Sequence, residues 1–310
     1  MINRILIRVK VVQMMYNYLL TSNIKSQQEA RDELQLSLDK SYELYHYYLL
    51  LIVELTRLQD LNLDEAKHKF LPTDEDLHPN TRFVDNWLAK QLEDDEQLQQ
   101  FVKEHPFSWR DNEVFLRLLL NKVLNSNEYR TYMDMPATDN PSDCELWRQL
   151  LKNVIIPDDD FAEEVENRSI YWSSDDVDFM GQFAVKTLRR YEHGDKPALL
   201  PQYKNDDDRD FARQLFAMAI DQQEQNNELI NRFITQGRWD ADRIATFDRV
   251  VMLVAIAELK GFPSIPTTVT LNEYIELAKR YSTPASGAFV NGVLNAVVVH
   301  LKKTKEIIKN

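Results

Sequence analysis

Residues 5–20, ILIRVKVVQMMYNYLL, are apolar on every side when wound as an α-helix. Ile5, Val9, Val12, Tyr16 and Leu19 fall on one face, and Ile7, Val11, Met14 and Tyr18 on another. Such a helix has no side to offer to water and is expected to be largely buried among other elements. A secretory signal is the rival reading. The stretch lacks a small-residue cleavage site, and its charges interrupt the apolar run.

The rest of the chain reads as helix. Six glycines in 310 residues, abundant Leu, Glu, Gln and Lys, and few β-branched runs favour an all-α protein. Helices are expected at about 27–60, 81–104, 110–126, 142–155, 158–167, 174–191, 209–235, 240–260, 270–281 and 285–304, and no strand alternation is convincing. Pro72 and Pro79 punctuate one loop, Pro263 and Pro266 another, and Pro284 separates the last two helices. Thr270 followed by Glu273 has the spacing of a capping box at a helix start. The stretch HGDKPALLPQYKNDDD, residues 193–208, is the best linker, and it divides the chain into 1–200 and 205–310.

An internal echo crosses that boundary. ELWRQLLKNVI (145–155) lines up with DFARQLFAMAI (210–220), and YWSSDDVDFM (171–180) with RWDADRIATF (238–247). A weaker third copy begins at SWRDNEVFLR (108–117). Trp109, Trp172 and Trp239 are each followed five residues on by Val114, Val177 or Ile244, and eleven on by Leu120, Phe183 or Val250. Chance likeness among helices and true duplication both remain open; duplication implies stacked helical bundles. The tryptophans could stack bases, but their recurrence favours packing at the base of a helix pair.

The charge pattern narrows the function. Net charge is −13, which argues against broad nucleic-acid binding over the whole surface. Residues 1–28 nevertheless hold Arg4, Arg8, Lys10 and Lys25 with no acid, and the terminal LKKTKEIIKN is net basic. Acid concentrates between, in LEDDEQ, PDDDFAEEVE and NDDDRD. A basic pole exists on the acidic body only if the two ends meet. The Asp runs at 158–160 and 206–208 read as solvated helix starts. Cys144 is the single cysteine, so no disulfide forms within the chain, and a reducing, cytoplasmic setting fits. No apolar stretch reaches the roughly 20 residues of a membrane span.

Catalytic text is poor. There is no GxxxxGKS/T, GxGxxG or HExxH, and the six histidines lack metal-ligand spacing. No catalytic residue, cofactor or metal is expected, and a binding protein remains. Its most specific text is 286–301, SGAFVNGVLNAVVVHL, with a 3.6-residue stripe of Phe289, Val290, Val293, Leu294, Val297, Val298 and Leu301. Each interior glycine costs a helix about 1 kcal/mol. Gly292, beside the stripe, would let another helix or a ligand come close.

RWDADRIATFDRVVMLVAIAEL, IPTTVTLNEYIELAKRYS and FVNGVL, in this order and with these short gaps, resemble the NusB transcription antitermination family, and RVKVVQMMYNYL is similar to its first helix. The resemblance covers about 205–310 and 4–20. It implies an extended form of the family: a C-terminal helical bundle whose first helix is separated from it in sequence by a long helical insertion. It further implies binding of boxA-type nascent ribosomal RNA jointly with the ribosomal protein NusE, within an RNA polymerase complex with other Nus factors. Carried over by position, Arg4, Arg8 and Lys10 match the basic arm toward RNA. Phe289 matches the aromatic near RNA, with Asn291 beside it, and Tyr16 and Asp248 match positions facing the ribosomal protein. Ile5, Leu6 and Ala288 stand where basic residues often occur. A non-catalytic adaptor that keeps the ribosomal-protein surface with weak or no RNA binding is the alternative.

Overall fold

The computed structural model describes residues 1–105, 108–236 and 244–308. Among them every regular element is helical, apart from one isolated bridge between Ile2 and Tyr203. None of the described helices is long and apolar enough to cross a membrane.

Helix α1 (Arg4–Thr21) starts at Asn3, whose side-chain oxygen accepts the Leu6 N–H at 2.9 Å. Leu6 to Val12 are buried without a break, as its all-round apolar pattern requires. Helix α2 (Gln27–Lys67) follows. The chain divides into two compact units, one of Asp39–Gln202 with Met1, the other of Ile2–Leu38 with Tyr203–Asn310. The boundary near 203 lies in the stretch read as a linker, whereas residues 2–38 pack with the chain's end rather than with 39–202. The reason is local: α1 is too apolar to stand alone, and its nearest partners are the last helices.

In the Asp39–Gln202 unit α2 is the core. Leu44, Tyr45, Tyr48, Leu51, Ile52 and Leu55 are fully buried along it. The unit's other elements are α3 (Asp74–Leu77), α4 (Trp87–Glu93), α5 (Glu96–Glu104), a 3-10 turn at Trp109–Asn112, α6 (Glu113–Leu124), α7 (Asn127–Met133), α8 (Asn140–Leu150) ending in a π turn, α9 (Asp159–Arg168) and α10 (Ser174–His193). Trp109 and Trp172 are both buried and donate from Nε1 to main-chain carbonyls of α2, at Tyr47 (2.8 Å) and Lys40 (2.6 Å). Val114, the aliphatic partner expected after Trp109 in the weaker third copy, is instead exposed. The single helix expected over 81–104 is broken, because Asp95 accepts the N–H groups of Gln97 and Leu98 and so starts α5 afresh. Asp158 caps α9 and also binds Lys122, fitting a helix-start role.

The 193–208 stretch is a strap. Ala198, Leu199 and Leu200 are buried. Arg190 donates to the carbonyls of Pro197 and Ala198, Tyr42 Oη donates to the Leu200 carbonyl, and Tyr45 Oη accepts the Leu200 N–H. With its backbone groups satisfied by side chains, a Pro-rich segment holds one path.

The second unit joins α1 and residues 27–38 of α2 to α11 (Asp206–Asp221), α12 (Gln223–Gln236), α13 (Thr246–Gly261), α14 (Thr267–Tyr281) and α15 (Ser286–Lys303). Helix α13 is its hub, buried continuously from Val250 to Leu259 and packed on α1, α11, α12, α14 and α15. Helix α14 starts at Thr267, behind Pro266, so the Thr270–Glu273 capping box is not formed. Thr270 lies inside the helix, and its hydroxyl turns to Glu258.

The echo has a counterpart in burial. Leu146, Trp147, Leu150, Leu151 and Ile155 are buried, as are Phe211, Ala212, Leu215, Phe216 and Ile220 at the aligned positions. Helix α8 packs on α10, and α11 on α13. Trp239, aligned with Trp172 in the echo, lies outside the described residues.

Candidate functional site

The site is built along α13. Arg8 of α1 grips Glu258 with both arms, Nε to Oε2 at 2.8 Å and Nη2 to Oε1 at 2.9 Å. Thr270 Oγ1 donates to Oε1 at 2.8 Å and Tyr274 Oη to Oε2 at 3.0 Å. Arg8 is 3% exposed and Glu258 0%. Burial works against the Arg8 charge, but the hydrogen bonds and charge of Glu258 outweigh it and hold the guanidinium above its ordinary value. Burial foremost, then the Glu258 charge, pushes the Tyr274 hydroxyl well up, so it stays a donor. This quartet fixes the start of α1 to the far end of α13 and to α14.

At the other end of α13, Asp248 is buried and accepts from Ser286 Oγ at 2.7 Å. Ser286 opens α15 and also contacts Thr283 Oγ1 (2.8 Å) and Ser282 Oγ (3.0 Å). One row of rings crosses here: Tyr16 of α1 lies 5.9 Å from Phe247 of α13, and Phe247 5.9 Å from Tyr281 of α14. Arg280 stands 5.7 Å over the Tyr281 ring. Asp248 Oδ1 and Tyr281 Oη are buried with no hydrogen-bond partner among the described residues.

These contacts set the geometry of the anticipated residues. Arg8 meets Glu258 near the C-terminal end of α13 and Tyr16 meets Phe247 near its start, so α1 and α13 run antiparallel. Lys260 lies 3.7 Å from Glu306, which brings the basic end of the chain to the same end of α13 as Arg4 and Arg8. Phe289 and Asn291 belong to the first turns of α15, beside Ser286 and therefore at the Asp248 end. Ten residues of α-helix separate Asp248 from Glu258, a distance of about 15 Å. The basic arm and the aromatic are thus at opposite ends of one helix.

Burial revises the list. Arg8 and Lys10 are buried, at 3% and 1%, so neither presents its charge to a phosphate as the arm of the resembling family would. A helix apolar all round leaves its interior cations no route to water, and Arg8 takes Glu258 as its counterion. Arg4 differs: its Nε donates to Asp208 at 2.9 Å and its guanidinium lies 4.9 Å over Phe211, with the side chain 37% exposed. Phe289 is half-buried and Asn291 exposed, with Asn291 Oδ1 accepting from Asn295. Tyr16 is half-buried and Asp248 buried. Glu258, Phe247, Tyr281 and Ser286 were missed by sequence reading. Of these only Glu258 carried a signal, a lone acid inside an unbroken apolar run.

Gly287 is the close approach in α15. A Cβ there would meet Lys279 Cγ of α14 at 2.5 Å. Cys144 is buried, and burial pushes its thiol up to about 12. No cluster of His, Cys, Asp or Glu among the described residues could hold a metal.

Residues 174–299 match the sequence model of the NusB family. The chain is 43% identical over 93 residues to the transcription antitermination protein NusB of Salinibacter ruber, covering 30% of this chain and 57% of that protein. It is 36% identical over 97 residues to the NusB of Dictyoglomus thermophilum, 31% of this chain and 66% of that protein. With the NusB of Geobacillus kaustophilus it shares 38% identity over 93 residues, 30% of this chain and 70% of that protein. The matched stretch is thus a little over half of the first relative's length. No solved structure matches the chain.

Proposed function

This chain belongs to the NusB family, and from that premise we propose that it acts in transcription antitermination. Its Ile2–Leu38 and Tyr203–Asn310 unit binds boxA-type nascent ribosomal RNA together with the ribosomal protein NusE, in an RNA polymerase complex with other Nus factors. One observation supports the reading most. Arg8 crosses 250 positions of sequence to pair with Glu258, so α1, which resembles the family's first helix, packs with the helices that match the family although a long segment separates them in sequence.

The roles follow from exposure. Arg4 supplies positive charge to the RNA backbone, joined by Lys302 and Lys303 at the same end of α13. Phe289 offers a ring on which an unpaired base stacks, a contact of about 1–3 kcal/mol, and Asn291 offers hydrogen-bonding groups. Arg8 acts indirectly, by holding α1 in place. NusE docks at the Tyr16–Phe247–Tyr281 row, whose half-buried rings give it an apolar, partly exposed contact surface. Asp248 shapes that surface through Ser286.

The test is boxA RNA binding by the full chain, with and without NusE, across a salt series. Arg4→Ala should weaken binding and flatten the log–log salt slope by about 0.7, the share of one single-strand phosphate. Tyr16→Asp should weaken the NusE complex and leave helicity intact. A second reading has its own support. With Arg8 and Lys10 buried and Ala288 exposed, the chain presents few cations to RNA. An adaptor that binds NusE and reads no RNA sequence fits that surface, and indifference to boxA sequence with NusE present would favour it.

A further inference from the structure

In the Asp39–Gln202 unit a groove of about 810 Å³ opens between α2, α5 and the 197–202 strap. Its floor is a stack of rings. Phe101 lies parallel to His46, with centroids 4.3 Å apart, and parallel to His105 at 4.0 Å. Tyr42 meets His46 edge-on at 4.6 Å. The rim is acidic: Asp39 and Glu43 come from α2, Glu96 and Glu104 from α5, and no Lys or Arg is among the lining residues. Lys40 reaches Glu43 at 2.7 Å, so Glu43 is partly neutralised, and His105 Nε2 lies 3.5 Å from its other oxygen. Gln202 donates to Asp39 and Gln100 to Glu104. These neutral donors orient the two carboxylates without cancelling their charge.

His46 adds an independent feature. It is 93% buried, and its Nδ1 lies 3.0 Å from the Tyr42 carbonyl. A carbonyl only accepts, so in the neutral ring Nδ1 carries the proton and Nε2 holds a lone pair. Among the described residues Nε2 has no partner. Burial holds the His46 imidazolium down at about 4, against the Tyr42 hydrogen bond, so at neutral pH the ring is an acceptor.

The wider field has the same sign. Residues 39–202 hold 33 acidic and 18 basic side chains, a net charge of −15, and the remainder of the chain is +2. Nucleic acid is repelled by such a unit, whereas a cationic polypeptide is drawn to it.

We propose that this groove binds an extended, lysine- or arginine-rich segment of a partner protein. A long methylene stem lies along the ring floor while its cationic head reaches the rim carboxylates and His46 Nε2. The inference does not rest on the RNA reading, because the α2 and α5 walls lie outside the stretch that matches the family.

The probe is a fluorescein-labelled nonapeptide of alternating Lys and Ala, titrated with the full chain at 0.15 M salt by fluorescence anisotropy. Glu96→Gln/Glu104→Gln should raise Kd about tenfold, the sum of two exposed ion pairs. Glu163→Gln/Glu166→Gln removes the same charge from exposed positions of α9 and should change Kd less than about twofold. His46→Phe, with helicity checked by circular dichroism, should also weaken binding, because it keeps a ring and loses the acceptor. Equal losses in the two carboxylate variants would mean attraction to bulk charge and would overturn the proposal. Absence of binding by the unaltered chain would overturn it as well, as would displacement by spermine as effective per charge as by unlabelled peptide.

Discussion

Replacing Arg8 with Met tests whether this arginine holds the bundle or reads RNA. Methionine keeps much of the stem volume and deletes the guanidinium. Glu258, fully buried, loses bonds of 2.8 and 2.9 Å and keeps the Thr270 and Tyr274 hydroxyls as donors. Removing one partner of a buried pair costs about 3–5 kcal/mol, because the remaining charge stays desolvated. The two hydroxyl donors soften that loss, so the lower half of the range is expected. Against a total stability of about 5–15 kcal/mol this is a large fraction. It should lower the Tm of the unit by about 10 °C. Thermal and urea melts followed by circular dichroism measure it, with the Asp39–Gln202 unit as an internal reference if the two transitions separate. Arg8→Met/Glu258→Leu should recover part of the loss, because no unpaired charge is left. The reasoning fails if Arg8→Met stays within about 1 kcal/mol of the parent while boxA affinity drops and its salt slope flattens. That result would put the guanidinium on RNA.

Three further outcomes follow from the packing. Gly287→Ala should destabilise by about 1–2 kcal/mol despite its better helix propensity, because the new methyl meets Lys279 Cγ at 2.5 Å; Gly287→Ala/Lys279→Ala should remove the penalty in urea melts. Trp172→Phe should cost about 1–3 kcal/mol, as the Lys40 carbonyl and α2 lose the 2.6 Å bond from Nε1, while Trp172→Phe at no cost would assign that contact no weight. His46 titrates at about 4 in the folded chain against 6.5 unfolded. Its folded value is depressed, so its stabilising share is complete above pH 6.5 and is lost as pH falls from there through 4, about 3 kcal/mol in all. His46→Gln should flatten the pH dependence of the urea midpoint across that window.

The extent to which the site was legible can be read from single residues. Period and composition were enough to place α1, α10, α13 and α15, whose apolar residues recur every three or four positions. They were enough to assign the Asp runs to helix starts, because a carboxylate at a helix start satisfies exposed N–H groups whatever the tertiary context. They failed at Arg8 and Lys10. A basic residue in an apolar helix reads as a surface cation until its counterion is known, and Glu258 lies 250 positions away. They failed at Thr270 for the same reason: its spacing to Glu273 describes a cap, but a hydroxyl that reaches a buried carboxylate is worth more inside the helix. The 81–104 break depended on Asp95 choosing the cap over the helix interior, a local contest too close for periodicity to decide.

Sequence by itself determined that this chain is helical, that its first helix had to be enclosed, and that its two ends are net basic on an acidic chain. Those properties depend on neighbours within a turn or two, or on the bare count of charges. Only the tertiary structure decided which cations reach water and which neutralise a buried acid, and that the basic termini share one end of α13 while Phe289 lies toward the other. Burial and pairing depend on contacts between residues hundreds of positions apart, and no local pattern encodes such distances.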